Sequence, residues 1–147
     1  MTVIIALAVL ALDRITKIIA LGLLSPGDSI SVIPGIFHIT LVLNNGTAFG
    51  LFKGMNAFFI LVSVTVIACI ILYVWKNRPL GFVWSLIFGL ILGGASGNLF
   101  DRIKFGRVID FFDFRIWPVF NIADSCITIG MILLAWKILR HKCTQSS

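Results

Sequence analysis

Four long apolar runs constrain this chain more than any other feature of its sequence. They cover about residues 2–24, 55–75, 80–100 and 120–139. Each is close to the roughly 20 residues with which an α-helix crosses ~30 Å of hydrocarbon. Because lipid cannot satisfy the backbone, only helices or closed barrels span it, and these runs are too long and continuous for barrel strands. We predict an all-α membrane protein, a single domain of residues 1–147 built as a four-helix transmembrane bundle.

The composition supports a membrane protein and argues against nucleic acid as a partner. The chain is 59% hydrophobic and only 12% charged, with a net charge of +6. Its basic residues cap the apolar runs, as at membrane interfaces, and do not cluster on a polar domain. The three Cys are odd in number and lack CxxC spacing, and the two His have no nearby ligands, so we expect neither disulfides nor a metal site.

The two long segments between the runs carry different patterns. Residues 25–54 hold two short β-branched stretches around Pro34-Gly35, which predicts a small extracytoplasmic β-sheet. Residues 103–118 are amphipathic and predict an interfacial loop or helix. This segment contains Phe105, Phe111, Phe112, Phe114 and Trp117. These aromatic side chains either form an interfacial belt or help to hold an amphipathic or lipidated substrate.

The positions of the basic residues suggest an orientation. Five Lys or Arg side chains lie on each side of the predicted bundle, so their number alone does not decide it. Their density favours the tight turn after residue 75 and the C-terminal tail as cytoplasmic. Both termini would then be cytoplasmic and both long loops outside. No basic residue precedes Arg14, so we expect the first run to be a retained helix and not a cleaved signal peptide.

Polar and small residues inside the runs predict helix contacts. Asp13 and Lys17 are spaced i,i+4 with the acid first, the favourable order for an ion pair within a helix. Gly89, Gly93 and Gly97 form a stripe along which another helix can pack closely. Packing within the chain accounts for this stripe, so we expect a monomer.

More polar residues follow at the end of the third run. Asn98, Asp101 and Arg102 lie near the glycine face, and we expect Arg102 to pair with a neighbouring carboxylate.

All six acidic residues are Asp, and three of them surround one connection. Asp101 closes the third run, Asp124 opens the fourth, and Asp110 lies between them. Carboxylates near a membrane core are costly and indicate function. Two that share a site retain one proton, which supplies a base to activate water and an acid to protonate a leaving amine. Because Asp101 and Asp124 bracket the connection, the sequence alone favours these two as the pair, and Asn121 with Asp124 also fits an ordinary helix start.

Five motifs, in order along most of the chain, resemble the lipoprotein signal peptidases (signal peptidase II) of bacteria. They are Asp13-x-x-Thr16-Lys17, Asn44-Asn45-Gly46-Thr47-Ala48-Phe49, Gly94-x-x-Gly97-Asn98-x-x-Asp101-Arg102, Val108-Ile109-Asp110-Phe111 and Phe120-Asn121-Ile122-Ala123-Asp124-Ser125. The resemblance implies an inner-membrane aspartyl endopeptidase. Such an enzyme cuts prolipoproteins just before a lipid-modified Cys, near the outer membrane face, and needs no cofactor.

The same resemblance assigns roles to individual residues. Asp110 and Asp124 would be the catalytic pair, and Asn121 would orient the pair or the substrate. The substrate site would be lined by Asn44, Asn98 and Arg102, with support from Asp13, Lys17 and Asp101. Apart from the resemblance, we expect Asp28 and Asp113 to be solvated loop charges.

Two other functions compete with a peptidase. Intramembrane Asp13, Lys17 and Asp124 would also suit a small proton-coupled transporter or channel. Apart from Asn56 and Tyr73 near its ends, however, the second run has only Ser63 and Thr65 as polar residues, which argues against a path through the bundle. A purely structural assembly subunit would explain the glycine stripe but not the clustered Asp residues.

A flux measurement separates the transporter from the peptidase. A transporter would show proton or solute flux in liposomes, and Asp13→Asn would abolish it because a proton path needs the carboxylate. We expect no flux above that of protein-free liposomes. Flux that disappears in Asp13→Asn would instead favour the transporter.

Overall fold

The computed structural model describes residues 1–46 and 55–145, with side chains as far as residue 140. Four long helices account for most of these residues. They are α1 (Thr2–Leu23), α2 (Asn56–Lys76), α3 (Phe82–Phe105) and α4 (Ile122–Gln145). Residues 47–54, which include Thr47–Phe49 of the second motif and part of the first predicted loop, lie outside the described residues.

The helices lie where the apolar runs predict them, and α3 and α4 continue beyond the expected ends. Three of them, α2, α3 and α4, are long and apolar enough to cross a membrane. Helix α1 is of similar length but carries Asp13, Arg14 and Lys17 beyond its midpoint. Helix α3 is the centre of the bundle, since it packs against α1, α2 and α4. Among the described elements α2 packs only against α3.

Glycines allow α3 to occupy this central position, as the stripe predicts. A Cβ atom on Gly93 would lie 2.6 Å from the Ala6 carbonyl oxygen of α1. On the neighbouring face, a Cβ on Gly94 would lie 2.5 Å from the Ala123 carbonyl oxygen of α4. No larger residue fits these backbone approaches without movement of a helix, so the glycines set how close α1 and α4 come.

A three-stranded antiparallel sheet joins the two long connections. Strands β1 (Ser29–Ile33) and β2 (Phe37–Asn44) form the predicted small sheet. The expectation of an interfacial loop or helix after α3 is wrong for its central part, because that part is strand β3 (Val108–Asp113), which pairs with β2. The sheet order is β1-β2-β3. Both connections therefore lie at the same end of the bundle.

One face of the sheet packs against the end of α1, and this corrects two expectations. Phe111 is 4% exposed and belongs to a core cluster with Leu41 and Ala20, so it is not part of an interfacial belt. Trp117, by contrast, is 60% exposed. Asp113 is not a solvated loop charge: it is buried and accepts a hydrogen bond of 2.7 Å from Thr40 Oγ1.

The close approach of α3 to α1 predicts the effect of adding one methyl group. We expect Gly93→Ala to lower the free energy of unfolding by about 1–3 kcal/mol, because the new Cβ would overlap the backbone of α1. Gly22→Ala is the matched control, since nothing lies within 4 Å of a Cβ there. Thermal unfolding in detergent measures both variants. Equal unfolding temperatures for the two would contradict this packing.

Candidate active site

Asp110 lies within β3 and is almost completely buried, with 1% of its surface exposed. Its two carboxylate oxygens accept hydrogen bonds from two different amides. Asn44 Nδ2, at the end of β2, donates to Oδ2 at 2.8 Å, and Asn121 Nδ2 donates to Oδ1 at 2.6 Å. The pairing of β2 with β3 brings Asn44 to this position, because Val42 and Asp110 are partners in the register. Asp110 is thus held by neutral donors on both sides.

Asp124 lies in the first turn of α4 and is half-buried. Its Oδ1 atom accepts a hydrogen bond of 2.7 Å from Asn98 Nδ2 on α3. Asn121 caps the helix: its Oδ1 accepts from the Asp124 backbone N–H at 2.9 Å, and Asp124 Oδ2 accepts from the Asn121 backbone N–H at 3.3 Å. This reciprocal pair is a capping box, with Asp in place of the usual Glu. The helix-start interpretation of these two residues is therefore confirmed.

The side chain of Asn121 joins the two carboxylates. It is completely buried, and the amide that donates to Asp110 also lies 3.1 Å from Asn98 Oδ1. Asn121 therefore contacts Asp110, Asp124 and Asn98. Asn98 in turn donates to Asp124. The structure brings Asp110 and Asp124 together through these amides.

Four charged residues form a largely buried cluster beside the carboxylate pair, in which only Arg14 is partly exposed. Lys17 Nζ lies 3.0 Å from Asp13 and 2.7 Å from Asp101. Arg14 lies 2.7 Å from Asp13 and 2.6 Å from Asp101. The predicted pair of Asp13 and Lys17 is confirmed. Two acids and two bases give the cluster no formal net charge, which lowers the cost of burying it.

The cluster also forms hydrogen bonds with residues that are next to Asp110 and Asp124 in the chain. Asp13 Oδ1 accepts from the Ala123 backbone N–H at 3.2 Å, next to Asp124. Asp101 Oδ2 accepts from the Ile109 backbone N–H at 3.3 Å, next to Asp110. Lys17 Nζ donates to Asn98 Oδ1 at 3.1 Å. The cluster therefore holds the backbone next to Asp110 and next to Asp124 in position.

Arg102 does not make the ion pair predicted for it. No carboxylate among the described residues lies within ion-pair distance of its guanidinium, which lies 5.1 Å from the centre of the Phe59 ring. Arg14 takes that role, and sequence reasoning missed it. A third charge beside Asp13 and Lys17 in an apolar helix is a signal that could have pointed to Arg14, because a lone intramembrane cation needs a carboxylate partner.

Burial also changes the acidity of Asp110. Its removal from water, together with the charge on Asp124, raises the pKa of the Asp110 carboxyl to about 7, although the hydrogen bonds from Asn44 and Asn121 oppose this change. Asp113, at the end of the same strand, behaves differently. Burial would raise the pKa of Asp113, but hydrogen bonds from Thr40 and Arg115 outweigh this effect and hold the pKa below the usual range for Asp.

A cavity of about 490 Å³ opens beside Asp124. Its other walls are mainly apolar and include Phe114, Trp117 and Phe120 from the connection before α4, with Thr128 from α4 itself. An amphipathic chain could therefore reach Asp124 through this cavity. Among the residues that the structure describes, no group of three or more His, Cys, Asp or Glu side chains could hold a metal ion.

Fold and site together define an apolar helical protein of the membrane with a pair of carboxylates, one buried and one half-buried, at the sheet end of its bundle. Two solved structures, both described as bacterial membrane enzymes determined by the in meso method, have this fold. One has a TM-score of 0.89 at 34% identity and covers 96% of this chain and 88% of that one. The other has a TM-score of 0.84 at 35% identity, with coverages of 94% and 92%.

Sequence comparison identifies the family. The family profile described as signal peptidase (SPase) II matches residues 5–140. Lipoprotein signal peptidase of Halothermothrix orenii is 47% identical over 140 residues, covering 93% of this chain and 96% of that protein. Lipoprotein signal peptidase of Moorella thermoacetica is 46% identical over 139 residues, with coverages of 91% and 89%. The chain belongs to the signal peptidase II family of aspartic endopeptidases.

The raised pKa of Asp110 can be observed directly. The folded state favours the protonated carboxyl, so Asp110 is expected to lose its proton as the pH rises through about 7. Infrared difference spectra should show the protonated carboxyl band disappearing over that range. Asp110→Asn should remove this titration, and Asp113→Asn, on the same strand, should leave it unchanged. A band near neutral pH that persists in Asp110→Asn would contradict the assignment.

Proposed function

We propose that this chain removes signal peptides from prolipoproteins by cutting on the N-terminal side of a diacylglyceryl-modified Cys, with Asp110 and Asp124 as the catalytic pair. Membership of the signal peptidase II family supports the reaction. The observation that carries the catalytic assignment is the bridge through Asn121. This one residue donates from its side chain to Asp110 and from its backbone to Asp124.

The environments of the two carboxyls suggest how they share the work. Burial and the charge on Asp124 raise the pKa of Asp110 to about 7, so we assign Asp110 as the member of the pair that supplies the proton. Asp124 is then the carboxylate that accepts a proton from water, and the water oxygen attacks the scissile carbonyl carbon. The Asp110 proton passes to the amide nitrogen as the C–N bond breaks. The products are a carboxyl group on the signal peptide and a free amine on the modified Cys.

The other polar residues hold this pair and its substrate. Asn44, Asn98 and Asn121 position the two carboxyls through the hydrogen bonds described above. Arg102, close to the pair and not engaged in an ion pair with a described carboxylate, is available to the substrate backbone. The cluster that contains Asp13, Lys17 and Asp101 supports the backbone on both sides.

The membrane arrangement follows from the same proposal. All four helices span the bacterial inner membrane, with the charged cluster of α1 shielded inside the bundle. The sheet end faces outwards, which places the catalytic pair at the outer boundary where a lipid-anchored Cys lies. We assign the apolar cavity beside Asp124 as the place where such a substrate enters from the lipid phase. The enzyme works as a monomer and needs no cofactor.

Substitution of each catalytic Asp tests the assignment. Asp110→Asn and Asp124→Asn should each lower the cleavage of a lipid-modified precursor by roughly 10²–10⁴-fold, since each removes one partner of the acid–base pair. Asp113→Asn is the control on the same strand and should keep wild-type cleavage. The rates are measured on purified protein in detergent, with the unfolding temperature of each variant as a check on folding.

The substrate tests the reaction separately. A precursor that lacks the diacylglyceryl group on its Cys should be cleaved far more slowly than the modified one. Equal cleavage of both precursors would contradict the proposed specificity. Wild-type cleavage by a folded Asp110→Asn or Asp124→Asn variant would contradict the catalytic pair.

A further inference from the structure

A second cavity, of about 360 Å³, lies between α1 and α3. It shares no lining residue with the cavity beside Asp124. Arg14, Lys17 and Lys104 line it, and none of its described lining residues is acidic. Its remaining walls are apolar. We call it the α1–α3 groove.

Lys104 gives the α1–α3 groove an uncompensated positive charge. The buried cluster behind the groove is formally neutral, because Arg14 and Lys17 are balanced by two Asp residues. Lys104 is exposed, and no carboxylate among the described residues lies within ion-pair distance of it. Its ammonium group instead lies 5.5 Å from the centre of the Phe100 ring and 5.2 Å from that of Phe105. An anion in the groove would neutralise this charge.

Arg14 has a donor left for such an anion. A guanidinium carries five N–H groups. Four of them donate hydrogen bonds within the protein. The Nε hydrogen and one Nη2 hydrogen donate to Asp13, and one Nη1 hydrogen donates to Asp101. The second Nη2 hydrogen donates to the Gly97 carbonyl oxygen. The side chain is 19% exposed, and its guanidinium lies 4.8 Å from the centre of the same Phe100 ring that Lys104 approaches. Arg14 and Lys104 therefore lie against one ring, each with capacity to donate.

The apolar part of the groove indicates what kind of anion fits. Lys104 is the last residue but one of α3, so the charged part of the groove lies at the sheet end of the bundle. Leu10, Ile18 and Leu21 of α1 supply aliphatic walls beside the charges. A free phosphate ester would leave these walls uncovered. A phosphate with an attached acyl chain would cover them. A headgroup with its own ammonium would add a second positive charge beside the unpaired charge of Lys104, so a headgroup with net negative charge fits better.

We propose that the α1–α3 groove binds one anionic phospholipid, with its phosphate between Lys104 and Arg14 and an acyl chain along α1. The site is separate from the substrate cavity and does not depend on the proposed peptidase function. Because Arg14 also holds Asp13 and Asp101, a bound lipid contacts the cluster that supports the catalytic pair. The headgroup charge is what selects the lipid.

Native mass spectrometry of the protein released from nanodiscs with equal amounts of phosphatidylglycerol and phosphatidylcholine tests the site. The wild type should retain one phosphatidylglycerol in preference to phosphatidylcholine. Lys104→Gln should lower that retention about fivefold, the effect of one Lys on an anionic lipid. Lys104→Arg should restore it. Arg107→Gln, which removes a nearby charge outside the groove, should retain the lipid like the wild type.

Three results would overturn the proposal. The first is equal retention of the two lipids by the wild type. The second is equal retention of phosphatidylglycerol by Lys104→Gln and Arg107→Gln at matched unfolding temperatures. The third is displacement of the lipid by excess soluble glycerol phosphate, which would indicate a site for a free phosphate ester. Because none of these measurements uses a cleavable precursor, their failure is distinct from a failure of the proposed peptidase function.

Discussion

The rest of this structure depends on the buried cluster of Asp13, Arg14, Lys17 and Asp101. Burying an ion costs several kcal/mol, and only well-placed partners offset that cost. Here every carboxylate oxygen of Asp13 and Asp101 accepts at least one hydrogen bond, and Asp101 Oδ2 also forms an ion pair with Lys17. Two of those bonds come from the backbone of β3 and of α4. The cluster thus fastens α1 to α3 and also sets the positions of the strand and the helix that carry the carboxylate pair.

The cations of this cluster are kept away from Asp110 itself. A cation in direct contact would lower the pKa of Asp110 and keep it ionised. Neutral amides occupy that space instead, from Asn44 and Asn121. Lys17 donates to the Oδ1 atom of Asn98, which also accepts from Asn121. Asn side chains therefore separate the charged cluster from Asp110, whose pKa stays raised.

Sequence could predict the parts of this structure that local physics controls. Helix positions followed from apolar length, and the pair of Asp13 and Lys17 followed from helical spacing. Strand β3 was missed because its aromatic pattern is equally typical of an interfacial segment and its partner strand is distant in sequence. Arg14 was missed because its partner Asp101 is 87 residues away. The pairing of Asp110 with Asp124 follows from the family resemblance alone, since the positions of Asp101 and Asp124 at the two ends of the connection favour Asp101 as the partner.

The double use of Asn121 has a further consequence. The same residue that ends the connection and starts α4 also donates to Asp110. Loss of the first turn of α4 would therefore remove the helix cap and the link between the two carboxyls in one step. Local opening of a helix end costs far less than global unfolding. Heating is therefore expected to separate the two carboxyls at this single turn before the bundle itself comes apart.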